Sequence, residues 1–124
     1  MHTREQLIQN CFQAWITKDR AAFRDSFATD AVYIESWGPA YRDKAQITTW
    51  FTDWTRENAV LKWDIKQFFH IENTCVCEWY FQHNSGGTID GFDGVSIIEF
   101  SPEGKIQRLK EFQSKIPNNY PYDS

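Results

Sequence analysis

After Asn58 the apolar pattern changes period, and that switch limits the fold more than any other feature of the sequence. Before it, apolar residues recur every three or four positions. After it, "AVLKWDIKQFFHIE" and "TCVCEWYFQHN" are rich in β-branched and aromatic residues, as strands are. A chain of this kind builds helices first and a sheet afterwards.

In the first part, Leu7, Ile8, Cys11, Phe12, Trp15 and Ile16 make one apolar stripe. They predict a helix over about residues 4–17, opened by a capping box from Thr3 to Gln6. Asp19 caps a second, short helix whose Ala22, Phe23 and Phe27 point inward. Ala31–Ser36 reads as a strand and Trp37–Tyr41, with Gly38-Pro39, as a loop. Asp43 and Gln46 form a second capping pattern before a helix over 44–57. In that helix Ile47, Trp50, Phe51 and Trp54 follow at i, i+3, i+4 and i+7.

The second part holds four strands. They are divided by turns at Glu72-Asn73-Thr74, Asn84–Gly87 and Ser101–Gly104. The order is α-α-β-α-β-β-β-β, an α+β class with helices on one face of an antiparallel sheet. Long neighbouring strands twist. Curved around the N-terminal helices, they make a cone with a hollow apolar interior. Residues 1–116 form one domain, and 117–124 a tail that is either packed by Tyr120 and Tyr122 or mobile.

Aromatic residues make up 17% of the chain: 6 Trp, 5 Tyr and 10 Phe. That exceeds what a small core needs, so some of the rings line a cavity or an interface. The formal charge is -4 and no Lys/Arg run occurs, which argues against a nucleic-acid partner. No apolar stretch is long enough to cross a membrane, so no membrane partner is expected. "MHTREQLIQN" lacks the apolar centre of a signal peptide, which favours the cytoplasm. Cys11, Cys75 and Cys77 are an odd count with no further ligand at zinc spacing, and read as core thiols.

The segment "FATDAVYIESWGPAYRDKAQITTWF", residues 27–51, resembles the SnoaL-like group of the nuclear transport factor 2-like superfamily. It is similar to that group's helix end, Phe-Ala-x-Asp-Ala, followed by a strand ending in an acid, a Gly-containing loop and a helix. The element order resembles the superfamily over nearly the whole chain. The resemblance implies the cone-shaped fold, a small apolar or aromatic ligand and pairing of two copies across the outer sheet face, here Val95 and Ile97. The superfamily includes ketosteroid isomerase, cyclases, dehydratases, epoxide hydrolases and non-catalytic members, so the site decides the activity. Isomerase, cyclase or dehydratase chemistry of this kind needs no metal and no organic cofactor.

Aligned on the shared motif with ketosteroid isomerase, Glu35 falls at the catalytic carboxylate base. Cys11 and Ser96 stand where that enzyme has its oxyanion-hole tyrosine and protonated aspartate. The alignment also turns Leu109 and Glu111 into the cavity. Glu111 is then the catalytic partner of Glu35, or else forms a salt bridge with Lys110 or Arg108.

Alternation puts Tyr33 and Glu35 on one strand face and Val32 and Ile34 on the other, so Glu35 is either solvent-facing or in the cavity. Among aromatic rings it would lose hydration, and its pKa would rise towards neutral. Tyr33, Trp37, Trp54, Trp63, Phe92 and Ser96 are the ligand-contact candidates. Gly94 leaves room for a ligand or a bend. His70 fits a hydrogen-bonding role at the rim, and His83 also lies near a strand end. Glu78 either faces solvent or pairs with His70. A non-catalytic binding protein or a dimeric interaction module fits the same sequence.

Overall fold

The computed structural model describes residues 2–123. Helix α1 (His2–Thr17) buries Ile8, Cys11, Phe12 and Trp15 along one stripe. The capping box at its start is not formed among the described residues. Thr3 is already helical, and the Gln6 amide donates to Asn10 Oδ1 at 2.8 Å. Asp19 does cap α2 (Arg20–Asp25), its Oδ1 accepting the Ala22 N–H at 3.1 Å. Phe27 is not helical; it opens strand β1 (Phe27–Ile34) and is buried there.

The expected loop over Trp37–Tyr41 is shorter than its composition suggests, because its end forms strand β2 (Ala40–Arg42). β2 folds back on β1, with Tyr41 opposite Tyr33. The turn closes tightly: the Glu35 N–H donates to the Pro39 carbonyl at 2.8 Å and the Gly38 N–H to the Glu35 carbonyl at 3.1 Å. Gly38 takes φ +120, a backbone region that side chains disfavour. Helix α3 (Asp43–Glu57) follows. Asp43 Oδ1 accepts the Gln46 N–H, and Gln46 Oε1 accepts the Arg42 N–H, each at 2.9 Å. The Asp43 bond is that of the expected capping pattern, while the Gln46 side chain reaches past Asp43 to the Arg42 N–H, so the box does not close reciprocally.

Strands β3 (Asn58–Ile71), β4 (Thr74–Ser85), β5 (Thr88–Phe100) and β6 (Ile106–Lys115) complete an open six-stranded sheet, ordered β2-β1-β6-β5-β4-β3. All its pairs are antiparallel except β1 with β6, which run parallel. The chain therefore starts the sheet near one edge, builds the other edge after α3, and returns beside β1. The helices pack on the inner face, α3 against β1 and α1 against β3. This is the expected α+β architecture, a curved sheet around N-terminal helices, with one strand more than the sequence pattern predicts.

Register sets the inner wall row by row. Trp63, Phe81 and Phe92 lie abreast on β3, β4 and β5. The next row is Trp79, Gly94 and Gln113, and the next is Cys77, Ser96 and Glu111. Leu109 pairs with Tyr33 across the parallel junction, which brings Glu111 to the β1 side of the cavity. The outer face carries Phe69, Val76 and Ile97 in one row and Val95 with Phe112 in another.

All three cysteines are free and buried. Beyond Lys115 no helix or strand occurs among the described residues, and Tyr120 and Tyr122 are exposed, so their rings do not pack the tail down. No described helix is long and apolar enough to cross a membrane.

Candidate functional site

Between the helices and the concave sheet lies a cavity of about 200 Å³. Trp63, Trp79, Phe81 and Phe92 come to it from the sheet, and Trp15, Trp50 and Trp54 from the helices. Tyr33, Glu35, Ser36 and Trp37 border it at the β1–β2 turn, and Glu111 and Gln113 on β6. The rings brace one another: Trp63 stacks on Phe12 with centroids 4.0 Å apart, and Trp50 on Tyr41 at 4.4 Å. Trp15 meets Trp54 edge to face at 5.5 Å.

Two carboxyl groups share this wall in unlike surroundings. Glu35 is half-buried just past the end of β1, turned inward by the Gly38 turn. Its Oε2 accepts the Tyr41 hydroxyl at 2.6 Å and its Oε1 the Trp37 indole N–H at 3.3 Å. Loss of hydration raises its pKa, and the two donors oppose the rise. Trp37 itself is 72% exposed, so it stands at the mouth of the cavity.

Glu111 is partly accessible through the cavity, yet protein surrounds its carboxyl. Burial pushes its pKa up to about 8. The Tyr33 hydroxyl bond and the Ser36 backbone draw it down, while the Glu35 charge raises it. Near neutral pH Glu111 is therefore largely protonated, with Tyr33 donating to Oε2. No salt bridge to Lys110 or Arg108 occurs: Arg108 instead approaches Glu99 at 3.7 Å.

The other expected residues divide. Tyr33, Trp37, Trp54, Trp63 and Phe92 all border the cavity. Ser96 does not. It is fully buried, and its Oγ accepts the Trp79 indole N–H at 2.9 Å. The Trp79 ring occupies the space over Gly94, so that glycine makes room for a tryptophan and not for a ligand. Cys11 is also buried outside the wall, its thiol pushed up to about 12 by burial. The two positions aligned with the oxyanion hole are thus both withdrawn from the cavity, whose wall carries Tyr33 and Glu111.

His70 does not pair with Glu78. Its Nε2 lies 2.6 Å from Glu5 on α1, and Glu78 accepts the Gln67 amide at 2.6 Å. Asp93, on the outer face, takes Lys66 at 3.3 Å. His83 lines the cavity, with Nδ1 2.8 Å from Ser85 Oγ.

Trp15 and Trp50 read in the sequence as packing residues on helical stripes, and only the concave sheet opposite makes them cavity wall. Tyr41 had one available signal, a hairpin at Gly38-Pro39 that would set it opposite Tyr33. The indole N–H groups of Trp15 and Trp63 are buried without a partner among the described residues. Both are closed off even from the cavity. No cluster of metal-ligating side chains occurs among the described residues.

The model of the SnoaL-like domain family matches residues 8–109, which takes in everything from α1 to the middle of β6. The chain belongs to the SnoaL-like family. Nothing matches among curated proteins.

Solved structures share the SnoaL-like fold at low identity. An LEH-like epoxide hydrolase from M. tuberculosis is 12% identical with a TM-score of 0.82, over 91% of this chain and 84% of that one. A protein with a ketosteroid isomerase-like fold from Catenulispora acidiphila, in complex with trimethylamine, is 17% identical with a TM-score of 0.77, over 87% and 85%. An NTF-2 like protein from Burkholderia xenovorans is 17% identical with a TM-score of 0.77, over 98% and 89%. At these identities the likeness is one of fold.

Proposed function

We propose that this SnoaL-like chain binds a small, largely apolar molecule in its aromatic cavity and moves a proton on it, as isomerases, cyclases and dehydratases do. Glu35 is the proton carrier. Glu111 assists as a neutral acid, donating a hydrogen bond where negative charge develops on the ligand. The observation that carries this reading is the pairing of two carboxyl groups in one ring-lined wall, Glu35 half-buried at the mouth and Glu111 enclosed by protein. Unlike carboxyls in one dry pocket divide acid and base work. At about 200 Å³ the cavity is smaller than the roughly 300–1,000 Å³ of drug-sized sites. It suits a ligand smaller than a steroid. The trimethylamine complex of a fold neighbour agrees with that scale.

The test starts from whatever small molecule stays with the purified protein, identified by mass spectrometry. That molecule, held in D₂O with the protein, should gain deuterium at carbon. Glu35→Gln, loaded to saturation with the same molecule, should abolish the gain. Equal exchange with and without Glu35 would remove Glu35 as the proton carrier, and a bound ligand that never exchanges would leave a non-catalytic binding protein.

A second reading concerns assembly. Phe69 is 52% and Phe112 46% exposed on the outer sheet face, beside Val76, Val95 and Ile97. Exposed rings grouped on one face favour a homodimer through that face. The three reduced, buried cysteines are compatible with a cytoplasmic site of action.

A further inference from the structure

The charges around the cavity do not balance. Two acids border it, Glu35 and Glu111, and no Lys or Arg does. Neither acid has an ion-pair partner among the described residues. Their side-chain partners are uncharged: Tyr41 and Trp37 for Glu35, and Tyr33 for Glu111. A carboxylate held among rings without a counter-charge is costly. Glu111 avoids that cost while it is protonated, and Glu35 meets part of it with the Tyr41 hydroxyl and the Trp37 indole N–H.

Most of the remaining wall has one electrostatic character, with Ser36, His83 and Gln113 as its polar members. Trp50, Trp54, Trp63, Trp79, Phe81 and Phe92 present aromatic rings. Ring faces are negative in their quadrupole and attract a cation within about 6 Å, most strongly from tryptophan. Aromatic rings grouped around one cavity form the usual receptor for alkylated ammonium groups, and a carboxylate on the same wall adds an attracting charge. A bound anion would meet two acids and, of basic side chains, His83 alone among the lining residues. A neutral molecule would leave the charge imbalance as it stands.

We infer that the cavity takes a small alkylammonium ion, its positive nitrogen and methyl or methylene groups enclosed by the tryptophan faces and its charge answered by Glu35. The inference rests on reading this cavity as the ligand site, and adds a positive charge to the ligand. The site size fits: about 200 Å³ takes a compact head group without a large skeleton. The mouth fits as well, because Glu35 and the exposed Trp37 stand together there, within reach of an incoming cation.

The test compares two isosteres by calorimetric titration of the whole chain. Choline carries a quaternary nitrogen, and 3,3-dimethylbutan-1-ol has a carbon in its place. Choline should bind at least tenfold tighter. Glu35→Gln, which keeps the shape of the side chain, should remove at least tenfold of the choline affinity and leave the alcohol unchanged. Equal affinities, or a preference for the alcohol, would overturn the ammonium inference and keep the ligand cavity. Binding of neither would overturn both the inference and the cavity reading. Choline affinity unaltered in Glu35→Gln would place the cation elsewhere and overturn the inference too.

Discussion

The indole of Trp79 lies over Gly94, its register partner on the next strand, so closely that a Cβ on Gly94 would stand 2.3 Å from Trp79 Cη2. The same Cβ would come 2.6 Å from the Phe112 carbonyl oxygen, which belongs to the sheet backbone and has little freedom to move. Gly94→Ala should therefore destabilise the protein by about 1–3 kcal/mol, as overpacking does. It should also push the Trp79 ring toward the cavity. Urea unfolding followed by tryptophan emission reads both effects. An unchanged midpoint would mean that the ring has room to shift.

Ser96 separates a structural role from a ligand-contact role. Its hydroxyl is the acceptor for the buried Trp79 N–H. Ser96→Ala leaves that donor unsatisfied, at a cost of about 1–3 kcal/mol. The affinity of any cavity ligand should stay within about twofold, because Ser96 does not border the cavity. A large loss of affinity at unchanged stability would return Ser96 to the site.

These two residues also show how far sequence reading goes. The inward set Phe92, Gly94, Ser96, Ile98 and Phe100 follows from strand alternation, and all five face inward. Periodicity says which side a residue faces, but not what fills the space above it. A glycine opposite a tryptophan is a filled gap, and only the register of β4 on β5 brings the two together. Glu35 shows the same limit. Alternation leaves it solvent-facing or inward, and the Gly38 turn with strand β2 decides between them. The shift from helical to strand period at Asn58 was fully legible, because it reflects local spacing alone. The parallel pairing of β1 with β6 was not, since those strands lie far apart in sequence.

Glu111 should make stability depend on pH across the neutral range. It is faced by Tyr33 on β1, by Glu35 and Ser36 just beyond that strand, and by Cys11 on α1. Its folded pKa of about 8 lies above the ordinary 4.5, so between those values the folded state binds more protons than the unfolded. Stability from this group is then fully present below about pH 4.5 and lost as pH rises through 8. The raised pKa of Glu35 acts in the same direction. In Glu111→Gln the decline should shrink by an amount on the order of a few kcal/mol. The difference between the wild-type and variant unfolding curves from pH 5 to 9 isolates it. Parallel curves would mean that Glu111 is ionised in the folded protein at neutral pH.

Tyr33→Phe should move Glu111 in a direction that tests the hydrogen bond itself. The Tyr33 hydroxyl stabilises the charged carboxylate, which lowers the pKa against the effect of burial. Without it the Glu111 pKa should rise further above 8, visible as a later midpoint in a ¹³C NMR titration of the glutamate carboxyls. A fall would show that water enters and rehydrates the acid once the hydroxyl is gone.

Phe69 and Phe112 give the proposed dimer face a sharp test. They lie in adjacent rows of the outer sheet face, with Val76, Ile97 and Val95 as their neighbours in register. Each is about half exposed in the single chain. Phe69→Glu places a charge in a surface that a partner would have to desolvate, at a cost of several kcal/mol if the site is covered. At an exposed position the same change should move folding stability by under about 1 kcal/mol. Sedimentation should therefore show a dimer for the wild type and a folded monomer for the variant. Wild-type protein that sediments as a monomer at tens of micromolar would remove the dimer, and would leave the outer rings as ordinary surface.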